Sequence, residues 1–175
     1  MKNKLLYRFI GLGAGIFIAW FLLYHIILED EEVLDAPIIV FQSYVSKGII
    51  SFFGYDVEMV RKTGLFSASL VLDNQAAVLV GTECGGLELI VLFVGFIIAY
   101  GGNKKVLLWF IPLGIATILL LNILRISALA IMALEYPQYL DFNHKYTFVI
   151  IVYGAIFWLW LVWINRFAYK HEVSS

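Results

Sequence analysis

The sequence predicts an all-α integral membrane protein: about four transmembrane helices, an interfacial amphipathic helix and a small extracytoplasmic β-hairpin. Three observations lead there. Of its 175 residues, 62% are hydrophobic, with a mean hydropathy of +0.91. A soluble domain of this size would be roughly half apolar. Long apolar runs alternate with short charged segments, and most basic residues fall on one side when the runs are threaded through a bilayer.

Residues 1–175 read as a single membrane domain. The first span is 5–28, long enough to cross ~30 Å of hydrocarbon. Lys2, Lys4 and Arg8 precede it and the run Glu29-Asp30-Glu31-Glu32 follows. The apolar stretch is too long for a cleaved signal peptide and no small-residue cleavage site follows, so it reads as a retained anchor. The extracytoplasmic segment is then 29–83. Within it, Ile38, Phe41, Val45, Ile49 and Phe52 recur at helical spacing, while Gln42, Ser43, Ser46 and Lys47 fill another face. As a span, this stretch (36–54) would put Lys47 near mid-bilayer at ~2.5–3.5 kcal/mol. It is therefore read as a helix on the membrane surface. Residues 55–82 carry strand signals at Val57, Met59, Leu70, Leu72 and Val78 to Val80, with Asp73-Asn74 as the turn.

The second span is 86–100, and Gly101 to Lys105 forms a tight basic turn. The third is 106–133, broken after Tyr136 by Pro137. A short loop from Gln138 to Lys145 carries Asp141, Asn143 and His144. The fourth span is 146–165, with Trp158, Trp160 and Trp163 towards its end. In this threading Lys2, Lys4, Arg8, Lys104, Lys105, Arg166 and Lys170 are cytoplasmic, whereas Lys47, Arg61, Lys62 and Lys145 are outside. That satisfies the positive-inside rule, only slightly better than a five-span threading in which 36–54 also crosses. A net charge of −1 gives no electrostatic footprint for nucleic acid. The sole cysteine, Cys84, excludes an internal disulfide, C-x-x-C redox chemistry and any cysteine-rich metal site. His25, His144 and His171 are too dispersed to suggest a metal cluster, and no cofactor is expected.

Three chemically expensive residues share one depth. Cys84 opens the second span in Gly81-Thr82-Glu83-Cys84-Gly85-Gly86-Leu87, where the positive end of a helix dipole favours thiolate. Arg125 lies nineteen residues beyond Val106, so ~28 Å up the third span at ~1.5 Å per residue. His144 directly precedes the fourth span on the same side. Each has an ordinary reading: an inert thiol, a snorkelling arginine, a solvated histidine. Their coincidence supports acyl transfer. A thiolate attacks, the histidine moves protons, and arginine with backbone N–H groups after Cys84 holds the oxyanion. Asn122, one turn below Arg125, Glu83 and Asn143 are candidates for substrate binding. Glu83 could also raise the thiol pKa, and neither Asp141 nor Asn143 is an evident partner for the imidazole.

Glu83-Cys84-Gly85-Gly86-Leu87, Asn122-Ile123-Leu124-Arg125 and Asn143-His144 before a last span resemble, in order and spacing, the exosortase/archaeosortase family. The resemblance covers roughly 81–167. The short chain is similar to the compact exosortase F type of Bacteroidetes. Gly85 stands where serine or threonine is common, and Glu88 where many members carry serine. The resemblance implies a membrane cysteine protease or transpeptidase with Cys84, Arg125 and His144 as catalytic residues. Its substrates would be secreted proteins with a C-terminal signal of motif, membrane helix and basic end. They would be cut at the outer face of the cytoplasmic (inner) membrane and passed to an unknown acceptor. Two rivals are kept. One is a non-catalytic scaffold or assembly subunit in which Arg125 pairs with a carboxylate such as Glu88. The other is a plain membrane protease that uses water.

The threading makes a direct prediction. Reporter fusions after Asp73 should read extracytoplasmic and fusions after Asn103 cytoplasmic. A cytoplasmic signal at Asp73 would dissolve the shared outer-face site.

Overall fold

A computed structural model describes residues 2–24, 35–61, 68–81 and 84–168. The last residues of the expected first span, the acidic run at 29–32, Lys62, the candidate Glu83, and the tail with Lys170 lie outside the described residues.

The chain is mostly helical, with a small three-stranded open sheet. Helix α1 is Lys2–Leu23 and α2 is Asp35–Phe52. Strands β1 (Val57–Arg61), β2 (Ala68–Leu72) and β3 (Ala76–Val80) follow. Helices α3 (Leu87–Tyr100), α4 (Lys104–Glu135), α5 (Pro137–Phe142) and α6 (Phe148–Val162) complete the order. A π-helical turn, Asn143–Thr147, joins α5 to α6, and another, Trp163–Phe167, extends α6. Among the described residues, two helices are long and apolar enough to cross a membrane: α4, and the continuous run Pro137–Phe167. Phe9–Leu23 and α3 are apolar but shorter.

Local chemistry explains the boundaries. Asn103 caps α4 by accepting the Lys105 N–H at 3.0 Å on its side-chain oxygen. Tyr136 leaves helical geometry at φ −140, and Pro137 begins α5 at the position where a missing N–H costs nothing. The strand signals yield an antiparallel meander, β1-β2-β3, rather than a lone hairpin. Asp73 and Asn74 turn β2 into β3 with φ of 48 and 58, the left-handed geometry that tight hairpins demand and Asp and Asn tolerate.

Two cores divide the molecule. Phe93, Ile97, Phe110, Ile118, Ile156 and Trp163 pack α3, α4 and α6 together. Leu70, Leu72, Val80, Ile50, Ile126 and Ala130 pack the sheet onto α2 and the C-terminal half of α4. Helix α4 serves both. Helix α1 lies antiparallel to α3: Phe9 stacks edge-on against Phe96 and Tyr100, while Trp20 and Tyr24 line one groove with Glu88 at the other end.

The polar face of α2 is not turned to water. Gln42, Ser43 and Ser46 are fully buried, whereas Phe41 and Tyr44 are exposed. The reason lies in the backbone: Ser46 donates to the Ile123 carbonyl of α4 at 3.2 Å, and Gln42 donates to the Gly85 carbonyl at 2.9 Å. Polar side chains here bond α2 to α4 and to the turn before α3, while Ile39 and Ile50 are buried beside them and Phe41 and Tyr44 face outward.

Packing between α3 and α4 generates a stability prediction. A β-carbon on Gly114 would run into the Phe93 ring, whereas one on Gly154 would meet nothing within 4 Å. Gly114→Ala should cost roughly 1–3 kcal/mol through overpacking, while Gly154→Ala gains about 0.5–1 kcal/mol of helix propensity. Thermal unfolding in detergent should therefore move in opposite directions for the two variants.

Candidate active site

Cys84 stands in a single 3₁₀ turn between β3 and α3, its N–H donating to the Gly81 carbonyl at 2.9 Å. The turn ends at Gly86, which precedes α3 with φ 77 in the left-handed region. Two constraints require glycine there. An L side chain is strained at that φ by roughly 1–2 kcal/mol. In addition, a β-carbon would collide with the Asn122 amide nitrogen and lie 3.3 Å from its Cγ. Asn122 is 2% exposed, so its side chain is wedged between α4 and the turn that carries Cys84. On the other side, Gln42 holds the Gly85 carbonyl. The residues following the thiol are therefore gripped by α4 and by α2. No side chain caps α3 among the described residues, which leaves its N-terminal amides and dipole directed at the turn.

Cys84 and His144 line one cleft of about 350 Å³. Val78, Leu79 and Val80 form one wall, Ile126 and Leu129 of α4 another, and Pro137, Leu140 and Asp141 a third. His144 is half-buried and lies on a helix rather than in the expected loop. The π turn accounts for this. Phe148 N–H bonds back to the Asn143 carbonyl five residues earlier, which lets polar residues that read as loop continue α5 into α6. Asp141, one turn before His144, instead accepts from Lys145 Nζ at 2.9 Å. Asn143, a substrate-binding candidate, donates its amide to the Tyr139 carbonyl at 2.9 Å. Neither residue orients the imidazole through a hydrogen bond among the described residues.

Arg125 is not among the residues lining the cleft. It lies on α4 one turn above Asn122 and one below Leu129, half-buried, with its Nε shielded from solvent and without a hydrogen-bond partner among the described residues. No ion pair joins it to Glu88 there. Glu88 borders a groove formed with Phe17, Trp20, Phe21 and Tyr24 of the α1 side. The scaffold reading thus lacks the ion pair named for it.

Sequence reasoning missed Gln42, Ser43 and Ser46 as site-supporting groups. Their period identified a polar face correctly, but a period does not say whether water or protein lies opposite. Among buried polar atoms without a partner in the described residues are Gln42 Oε1, Ser43 Oγ, Asn122 Nδ2 and Arg125 Nε. These four lie on α2 and α4, and a fifth, Trp160 Nε1, lies on α6.

The comparisons bear on this arrangement. A protein-family model described as transmembrane exosortase matches residues 9–166. The chain belongs to the transmembrane exosortase family. No curated protein and no solved structure matches it. Family membership agrees with the membrane location indicated by the apolar helices, and the match is to exosortases as a whole rather than to the F type.

The grip on the thiol turn can be tested. Gly86→Ala should lower the unfolding temperature well below that of Gly81→Ala, whose added methyl meets nothing within 4 Å. Adding Asn122→Ala to Gly86→Ala should recover the part of the loss due to the collision. The backbone strain, roughly 1–2 kcal/mol, should remain. Equal effects at Gly81 and Gly86 would refute the close approach.

Proposed function

We propose that this exosortase is a multi-pass cysteine transpeptidase of the cytoplasmic membrane. It cleaves C-terminal sorting signals of secreted proteins on the outer face and transfers the new C-terminus to an acceptor. The observation that carries the reading is the cleft shared by Cys84 and His144. Family membership supports the substrate class, secreted proteins bearing a sorting signal. Both termini are cytoplasmic in this reading, α2 lies along the outer surface, and the sheet stands outside the bilayer.

The chemistry follows from the residue types. Cys84 thiolate attacks the scissile carbonyl, and its charge is favoured by the uncapped N-terminus of α3. The backbone N–H groups of Gly85 and Gly86 stabilise the oxyanion of the tetrahedral intermediate, and Arg125, which stands outside the cleft before substrate enters, is the cation the family resemblance implies for the same charge. His144 gives a proton to the leaving amine, the C–N bond breaks, and a thioester remains on Cys84. The acceptor then attacks the thioester, His144 takes its proton, and the thiolate is regenerated. Asn122 acts by holding Gly86. Asn122, Asn143 and Glu83 are the substrate-binding candidates.

Cys84→Ala and Cys84→Ser should accumulate in the membrane yet process no substrate, because a hydroxyl lacks thiolate nucleophilicity without a strong base. Arg125→Lys should fail as well, since a flexible ammonium does not reproduce a planar fork of donors. His144→Ala should be inactive at every pH. The check is a hydroxylamine-sensitive thioester on Cys84 when a cognate sorted protein is supplied. Processing by Cys84→Ala would end the transpeptidase reading. A product with a free carboxylate in place of a joined acceptor would make the enzyme a plain protease.

A further inference from the structure

Three consecutive residues of β3, Val78, Leu79 and Val80, border the cleft that holds Cys84 and His144. Successive side chains of a strand point to opposite faces. A cavity that touches all three must therefore run along the strand's edge rather than over a face. The strand order β1-β2-β3 leaves that edge without a strand partner among the described residues.

The register says which groups it presents. The Asp73 N–H donates to the Asp56 carbonyl at 2.9 Å, extending the β1-β2 ladder by one pair. Main-chain groups in an antiparallel ladder alternate in direction. Odd-numbered residues of β2 therefore bond towards β1 and even-numbered ones towards β3. Ala68, Leu70 and Leu72 pair with Val80, Val78 and Ala76. Ala77 and Leu79 are left to aim their N–H and C=O away from β2, and Leu79 does so within the cleft. Leu140 stands beside this edge, and Ile126 and Leu129, almost fully buried against the sheet, form the floor of the cleft. Unpaired strand edges are templates for another strand, and recognition by strand addition combines main-chain bonds with pockets for alternate side chains. The cleft volume of about 350 Å³ falls at the small end for ligand sites, suited to a short segment.

We propose that the substrate enters this cleft as an extended peptide that pairs along the open edge of β3, with the Leu79 N–H and C=O as main-chain partners and its apolar side chains on Ile126, Leu129 and Leu140. The proposal rests on the transpeptidase reading for what the peptide is, and it adds how the peptide is held. Backbone pairing fixes the depth and direction of the chain beside Cys84, while the apolar wall selects side chains at alternate positions.

The test uses the full-length Cys84→Ala chain in lipid nanodiscs, so that no reaction at sulfur enters the readout. The probe is fluorescein-labelled Lys-Val-Val-Val-Ala-Lys amide, followed by fluorescence polarisation, with each central amide N-methylated in turn. Expected is an alternating profile. Methylation at amides facing β3 weakens binding by about tenfold, the order of one lost hydrogen bond, while methylation at the amides between them has little effect. Leu79→Pro, which removes the outward N–H, should weaken the parent peptide similarly yet keep its unfolding temperature. Val78→Pro should instead disrupt the sheet, since its N–H bonds to β2. A flat N-methylation profile overturns the proposal, as does undiminished binding by Leu79→Pro or binding no stronger than to protein-free nanodiscs. If Leu79→Pro fails to fold, the N-methylation series decides alone. None of these outcomes touches the thioester experiment on the unmodified enzyme, so the two readings fail separately.

Discussion

Gly86 has no β-carbon, and the Asn122 amide occupies the space where one would be. That contact sets the height of α3 on α4, and much else depends on it. It brings the start of a 14-residue helix against the middle of a 32-residue one. Below the contact, α3 and α4 are free to pack as a bundle, with Phe93 seated over Gly114. Above it, the remainder of α4 has no bundle partner in α3 and instead carries the sheet through Ile126 and Ala130. A larger residue at 86 would both strain the backbone and push the turn away from α4, shifting Cys84 relative to the wall it faces.

The burial of polar groups on α2 belongs to the same arrangement. Placing Gln42, Ser43 and Ser46 against another helix is costly unless they find partners. Gln42 and Ser46 find them in the Gly85 and Ile123 carbonyls, one in the thiol turn and one on α4. Asp35, at the start of α2, is nearly fully buried and accepts from the Tyr24 hydroxyl at 3.0 Å, which ties the end of α1 to the beginning of α2. The Cys84 turn is thereby held by α2, which is itself tied to the end of α1. Orphaned atoms such as Ser43 Oγ and Arg125 Nε show that this zone is polar beyond what the described protein groups satisfy. Such a distribution suits a region that must answer charge during a reaction better than one evolved only to pack.

What the sequence disclosed was local. Asp73-Asn74 and Pro137 each carry their own backbone preference, so the turn and the break could be read without knowing what surrounds them. The apolar runs of α4 and α6 were legible for the same reason. Three things were not. The polar face of α2 was visible as a period, but its counterpart is a carbonyl 43 residues away in sequence. His144 sits among Gln, Asp, Asn and Lys, a composition that signals loop, and a π turn carries the helix through it. The pairing of Gly86 with Asn122 is a three-dimensional coincidence of two weak motifs. Both were noticed for their spacing, and only the fold reveals that they touch. Arg125 shared their depth by simple rise per residue, yet the cleft is lined by its neighbours Ile126 and Leu129.

Helix length converts this geometry into selectivity. Fourteen residues of α3 span ~21 Å, less than the ~30 Å of a hydrocarbon core. In the proposed topology the thiol turn is thus drawn towards the bilayer, not displayed above it, and α4 rises past it to support β3. A peptide bond reaches such a thiol only if its chain is held close to the surface, as it is in the few residues next to a membrane helix. Those residues must also be extended, because a helix would keep its carbonyls bonded to itself and unavailable for attack. The lipid supplies the first condition and an open strand edge beside Cys84 supplies the second. Neither depends on the chemical identity of the side chains near the cut. Side-chain preference is then left to the apolar wall of Ile126, Leu129 and Leu140, a surface that discriminates by size and shape at only ~1–3 kcal/mol per methylene.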